Sequence, residues 1–252
     1  MDEKSRSLAI LVDGDNISHN VIKDIIDEAS THGNPKIRRV YGDWTKSNLT
    51  EWKEAANRNA ILQIQQSNYT SGKNSTDGAL IIDAMRMLYE GKVDGFCIVS
   101  SDSDYTRLAI ELREQGKFVL GIGNTGTPQS LVNACNRFTY IETITANGGV
   151  QPVGRLPSVK TVSAQGSKHS HEWVGMVTKA IKELSGDDDT WVLLANVGNR
   201  LRAINPAFDP REYGYVNLHS LIESHPDKFL LEGHEIAGEL SGHKVRLKTS
   251  EA

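Results

Sequence analysis

The sequence predicts an α/β domain with a largely parallel central sheet, followed by a small winged-helix domain. Three observations carry this expectation. From Leu8 to Ile141 short β-branched runs alternate with longer stretches of helical period, the pattern of a parallel sheet covered by helices. Residues 147–170 then break that rhythm with Gly, Pro, Ser and small polar residues, as a linker does. Beyond it, three helical stretches and two closing strands fit the outline of a winged helix. The implied boundaries are 5–145, 146–170 for the linker, and 171–249.

In order, the expected strands of the first domain are LAILV (8–12), IRRVY (37–41), ILQIQ (61–65), FCIVS (96–100), FVLGI (118–122) and FTYI (138–141). Between them VIKDIIDEAS, EWKEAANRN, GALIIDAMRMLYEG, YTRLAIELREQG and QSLVNACNR repeat apolar residues three and four apart, with Gly33, Gly91 and Gly116 as helix stops. In the second domain HEWVGMVTKAIKELSG reads as an amphipathic helix and WVLLANVGNRLRAI as another. FDPREYGYVNLHSLIESH reads as a turn and helix, and FLLEG and HKVRLK as strands.

With 252 residues, 38% of them hydrophobic and 24% charged, the chain can bury globular cores. Cys97 and Cys135 lie in apolar stretches with no CxxC pair and no His at ligand spacing, so reduced, buried thiols of a cytoplasmic protein are expected. No run approaches the length of a membrane span, and the short charged N-terminus carries no export signature. The net charge of −4 is unlike that of most nucleic-acid binders. Carboxylates converging on a divalent ion would produce the same balance.

The first strand ends in Asp13-Gly14-Asp15-Asn16 and the fourth in Ser100-Ser101-Asp102-Ser103-Asp104. In a parallel α/β sheet ligands gather beyond the carboxyl ends of strands, so both acidic turns can face one pocket. Asp77 opens the helix before the fourth strand, just after Lys73 and Asn74. Hard oxygen ligands without His or Cys suit Mg²⁺ or Mn²⁺ rather than Zn²⁺. Asp15, Asn16 and Asp104 also read as helix N-caps, and Asp77 as a first-turn residue. Asp13 and Asp102 follow buried apolar strands, where an uncompensated carboxylate is costly. Asp83 lies six residues beyond Asp77, about 120° round the helix, and is a poor ligand. Asp43 fits a pocket edge and a turn equally well.

Gly121 to Pro128 forms a glycine-rich turn in which Thr127 reads as an N-cap and Pro128 as the first helical residue, leaving the amides around Thr125 for an anion. It is neither a Walker A loop nor GxGxxG, so neither ATP nor NAD is expected. No GxSxG elbow occurs and the histidines lie mostly away from the acids, which leaves Ser–His or Cys–His catalysis little support.

Together VDGDN (12–16), VYGDW (40–44), GKNSTDGALIIDAM (72–85), CIVSSDSDY (97–105) and TPQSLVNACNRFTYIE (127–142) resemble the NYN family, a branch of the PIN-like nucleases. The resemblance implies a PIN-like three-layer α/β/α sandwich, a Mg²⁺ or Mn²⁺ site and ribonuclease activity. It places acidic ligands on Asp13, Asp77, Asp102 and Asp104, with Asn16 and Ser101 as orienting or phosphate-contacting groups. Arg86 stands after Met85 where an acid is common in that branch, so a ligand for a second metal is missing there.

WVLLANVGNRL (191–201) and PAFDPREYGYVNLHSLIE (206–223) resemble the LOTUS or OST-HTH winged-helix domain, which implies RNA capture or protein contacts. Arg200, Arg202 and Arg211 with Tyr213 and Tyr215 offer charge and stacking to single-stranded RNA. Tyr213, Tyr215, Trp191 and Phe208 also suit the core of so small a domain. Over residues 171–249, 9 Lys and Arg face 12 Asp and Glu, a weak balance for tight RNA binding.

The expected activity is a divalent-metal-dependent endoribonuclease cleaving RNA phosphodiesters, with Lys73, Thr125 and Thr127 near the substrate and the second domain positioning RNA. A non-catalytic RNA-binding scaffold and a nuclease acting on DNA stay open, as do a protein partner for the second domain and self-association.

Overall fold

A computed structural model describes residues 5–45, 50–66, 75–146, 172–186, 190–236 and 239–248. Lys73 and residues 147–170 of the expected linker lie outside these residues. The chain divides into two compact units, residues 1–149 and 150–252. No helix among the described residues is long and apolar enough to cross a membrane.

The first unit is built on β1 (Ser7–Asp13), β2 (Asn34–Gly42), β3 (Leu62–Gln65), β4 (Gly95–Val99), β5 (Phe118–Gly123) and β6 (Arg137–Tyr140), all parallel, in the order β3-β2-β1-β4-β5-β6. After β1 the chain first extends the sheet to one side and then returns to place β4 on the other. The crevice beyond the carboxyl ends of β1 and β4 is therefore the point where strand order reverses. Ala9 to Asp13 and every residue of β4 are buried, because helices cover both faces of the sheet.

On one face α1 (Ile22–Ser30), α2 (Thr50–Arg58) and α6 (Ile141–Ala146) pack Ile25, Ile26, Trp52 and Ile144 against Ile10, Val12, Cys97, Val99 and Ile122. On the other, α3 (Ser75–Tyr89) lies over β1 and β2, and α4 (Thr106–Glu114) lies over β5. Leu80, Met87, Leu108 and Leu112 are buried there. Burial of each such aliphatic side chain contributes roughly 1.5–3 kcal/mol. This is the PIN-like α/β/α sandwich with its parallel central sheet.

Several expectations are corrected. The helix after β5, α5 (Gln129–Ala134), stops short of Cys135, whose backbone is extended. Ile141 starts α6 rather than ending a strand. Gly91 and Gly116 adopt positive φ after α3 and α4, as helix-stopping glycines do. Gly33 does not; a Cβ there would come within 2.6 Å of the Arg6 carbonyl, so close packing against β1 is its constraint.

The second unit comprises α7 (Glu172–Ser185), β7 (Val192–Leu193), α8 (Leu194–Ile204), α9 (Leu218–Glu223) and the antiparallel pair β8 (Phe229–Ile236) and β9 (Glu239–Leu247), in the sheet order β7-β9-β8. Helices with a small antiparallel sheet are the winged-helix arrangement. Val192 and Leu193 were expected within a helix and instead pair with β9, because a partner strand is available that local periodicity does not reveal. Trp173, Val177, Ile181, Leu201, Phe208, Leu221 and Val245 form its core, and Tyr213 and Tyr215 pack partly buried against it. Trp191 lies beneath the guanidinium of Arg246, 5.2 Å from the ring centroid.

Candidate active site

The crevice beyond β1 and β4 is lined by two turns that tie themselves together. Asp13, the last residue of β1, is 3% exposed. Its Oδ2 accepts a hydrogen bond from Ser100 Oγ at 2.9 Å, and its Oδ1 is buried without a hydrogen-bond partner. Ser100 Oγ in turn accepts from the Asp102 amide at 3.1 Å. Asn16 Oδ1 accepts from the Ser101 amide at 3.1 Å, joining the first turn to the second. One serine thus positions both the deepest acid and the loop carrying Asp102.

Asp102 has extended backbone and accepts from the Asp104 amide at 2.9 Å, capping a turn of 3₁₀ helix at Ser103–Tyr105. The N-cap roles foreseen for Asp104, Asp15 and Asn16 are corrected: Asp102 caps one turn, and Ser18 caps the 3₁₀ turn His19–Val21. Asp77 lies in the first turn of α3 and accepts from the Tyr105 hydroxyl at 2.7 Å. One carboxylate oxygen from each of Asp77, Asp102 and Asp104 falls within 4.8 Å of the others. Asp77 and Asp102 are half-buried, and Asp104 is exposed.

Electrostatics follow from this crowding. Burial, reinforced by the charges of Asp77 and Asp15 and only partly offset by Ser100, pushes Asp13 up to about 6. Burial also raises Asp77, opposed by the Tyr105 hydrogen bond and assisted by Asp102, Asp104 and Asp15. Burial and the neighbouring acids push the Tyr105 phenol far above its ordinary value, so it stays a hydrogen-bond donor.

The glycine-rich turn differs from expectation. The Thr125 amide donates to Glu142 at 3.0 and 3.1 Å, and its hydroxyl donates to the same carboxylate at 3.1 Å. The Gly126 amide donates to Asn124 Oδ1, and the Thr127 amide to the Asn124 carbonyl. These amides are therefore engaged rather than free. Thr127 is not a helix cap; its hydroxyl donates to the Asn124 carbonyl at 2.7 Å, and Pro128 takes the cap position. The loop still borders the acids, since the Asn124 amide donates to Ser101 Oγ at 2.9 Å. Gly123 makes that approach feasible, because a Cβ there would meet the Ser100 carbonyl at 2.7 Å.

Two further acids have structural partners. Asp83 is buried and accepts from Arg39, from the Tyr41 hydroxyl at 2.5 Å and from Arg86 at 2.5 Å. Burial works to raise its pKa, and the hydrogen bonds from Arg39 and Tyr41 outweigh that, holding it below the usual carboxylate range. Asp43 accepts from Thr45 and from Gln65 Nε2, the turn role among its two readings. In the second unit Arg200 pairs with Glu183 at 2.6 Å, Arg211 forks onto Asp209, and Arg202 bonds Asn199 at 3.0 Å.

Ser100, Tyr105 and Glu142 were not singled out from the sequence. Ser100 and Tyr105 flank the acidic turn, which is the signal that could have raised them. Glu142 gives no local sign, because its partner is 17 residues away.

Comparison with known proteins fits this geometry. The NYN domain model matches residues 7–142. The chain belongs to the NYN family. Behind the NYN domain, the OST-HTH/LOTUS domain model matches residues 172–240. A domain of the PIN-like nuclease superfamily is thus joined to a module of an RNA-binding class, which supports a nuclease with RNA binding. No curated protein matches the sequence. The crystal structure of a protein of unknown function from Vibrio parahaemolyticus RIMD 2210633 is similar at 19% identity and a TM-score of 0.45, covering 56% of this chain and 95% of that one. The solution NMR structure of an uncharacterized protein from Nitrosomonas europaea is similar at 27% identity and a TM-score of 0.31, covering 41% and 95%.

Proposed function

We propose that the NYN domain is a divalent-metal-dependent endoribonuclease and that the OST-HTH/LOTUS domain presents single-stranded RNA to it. The observation that carries this reading is the meeting of three carboxylate oxygens beside a buried Asp13 whose Oδ1 has no hydrogen-bond partner. Burial raises both Asp13 and Asp77 and the neighbouring acids add to it, so their ionised forms are costly while no cation is present. An all-oxygen, anionic donor set of this kind fits Mg²⁺ or Mn²⁺. Asp13, Asp77, Asp102 and Asp104 would hold the ion.

When bound, a divalent ion supplies positive charge to the scissile phosphate and lowers the pKa of a water molecule for in-line attack. The chain's own residues do the positioning. Asn16, whose Oδ1 is held by the Ser101 amide, keeps its side-chain NH₂ to donate to a phosphate oxygen. Ser101 Oγ accepts from Asn124, which leaves its own proton to donate toward the crevice. Lys73, Thr125 and Thr127 are proposed to border the RNA path, with Thr127 acting through loop shape. Arg200, Arg202 and Arg211 are proposed RNA contacts of the second domain; phosphates there compete with Glu183 and Asp209, so affinity should fall steeply with salt.

The test is cleavage of labelled single-stranded RNA and matched DNA with Mn²⁺, Mg²⁺ or EDTA. RNA cleavage that needs metal and drops at least about a hundredfold in Asp13→Asn and Asp102→Asn is expected. RNA that is bound but left intact would replace the enzyme with a scaffold, and equal cutting of DNA would widen the substrate class.

A further inference from the structure

We infer that Tyr105 is the positioning residue for Asp77: its phenol holds that carboxylate in place toward Asp102 and Asp104, ready for a cation. The inference deepens the proposed metal site and rests on it.

Tyr105 is 0% exposed and among the largest fully buried side chains. A phenol hydroxyl so placed needs an acceptor. The acceptor it meets is Asp77 Oδ1, at 2.7 Å and 28 residues away, on a different element. Asp13 and Asp102 have donors of their own in Ser100 Oγ and the Asp104 amide. These donors and Tyr105 all belong to the six residues 100–105 that follow β4. The segment therefore aims three carboxylates at once, and Tyr105 is the member that reaches α3.

The chemistry of the donor matters. Asp77 faces two carboxylates within 4.8 Å, which push it away from them. A hydrogen bond from a neutral phenol opposes that drift without cancelling charge, whereas the Arg39 and Arg86 guanidiniums neutralise Asp83. A carboxylate has about four lone-pair sites, so one bond from Tyr105 leaves Asp77 able to ligate. The packing around Tyr105 makes the placement rigid, since its ring is enclosed where the 3₁₀ turn enters α4.

The test is Mn²⁺ binding by the full-length protein, measured by calorimetry and by electron paramagnetic resonance of free Mn²⁺, alongside urea unfolding in EDTA. Tyr105→Phe removes one oxygen and keeps the ring. About tenfold weaker Mn²⁺ binding, with far-UV circular dichroism and a cooperative urea transition like the parent's, is expected, as for other residues that orient a metal ligand. Unchanged Mn²⁺ affinity overturns the inference, as does a Phe variant that fails to fold, because either shows the hydroxyl serving the fold alone. A parent protein that folds but binds no Mn²⁺ carries a different signature: it sinks the metal-site reading and the role of Tyr105 with it.

Discussion

Asp13 and Asp83 are both buried aspartates on the same domain, 3% and 8% exposed, and they have opposite surroundings. Asp83 is encircled by Arg39, Tyr41 and Arg86, and its carboxylate is held below the ordinary range. Asp13 has the Ser100 hydroxyl and the Asp15 backbone to favour its charged form, a buried Oδ1 without a hydrogen-bond partner and two acids nearby, and rises to about 6. Burial alone does not set the charge state of an acid. The supply of positive charge and donors does, because a buried carboxylate left short of both is costly to ionise.

The largest expected effect comes from breaking the satisfied partner. Asp83→Ala leaves Arg39 without its carboxylate and should destabilise the protein by about 3–5 kcal/mol in urea unfolding. A loss below about 1 kcal/mol would make the contrast between the two acids empty. Its pH dependence has a definite sign. A lowered pKa means that the contribution of Asp83 is present above pH 3.8 and disappears as pH falls through the folded value.

Asp13→Asn should act in the opposite direction. With a folded value of about 6 against 3.8, ionised Asp13 costs the metal-free fold up to about 3 kcal/mol at pH 7. The raised pKa favours the protonated form in the folded state, so the cost is absent below pH 3.8 and grows as pH rises to about 6. The Asn variant in EDTA should therefore gain stability over the parent between pH 4 and 7 while losing RNA cleavage. Equal stability at pH 7 would show that Asp13 is already compensated.

Metal sharpens the same contrast. At a hundredfold excess over its dissociation constant, Mn²⁺ should stabilise the parent by about 2.7 kcal/mol and Asp83→Asn by as much, yet add little to Asp13→Asn. Thermal melts with and without Mn²⁺ decide this. The smallest effect concerns Glu142, an exposed acid satisfied by an amide and a hydroxyl. Glu142→Gln should loosen its hold on Thr125 and tighten RNA binding a few-fold at low salt, under about 1 kcal/mol. Weaker RNA binding in a filter or anisotropy assay would show instead that Glu142 braces the loop for substrate.

Much of this was legible in order along the chain. The alternation of strands and helices, the acids at the ends of β1 and β4, and the poor position of Asp83 follow from period and spacing, which depend on neighbours a few residues away. The strand at Val192–Leu193 was not legible because a distant partner, β9, decides it, and α6 was not legible because six residues packed against α1 are too short to show a period. The amides of the Gly123–Thr127 loop were misread for the same reason, since nothing local announces Glu142.

By itself the sequence determined the α/β class, the two domains' family resemblance and which acids stand at strand ends. Only the tertiary structure decided which acids are compensated: it brought Arg39 to Asp83 across 44 residues, Ser100 to Asp13 across 87 and Tyr105 to Asp77 across 28. A carboxylate's charge and reactivity depend on donors and neighbouring charges within a few ångströms, and in a parallel sheet those come from strands and turns far apart in sequence.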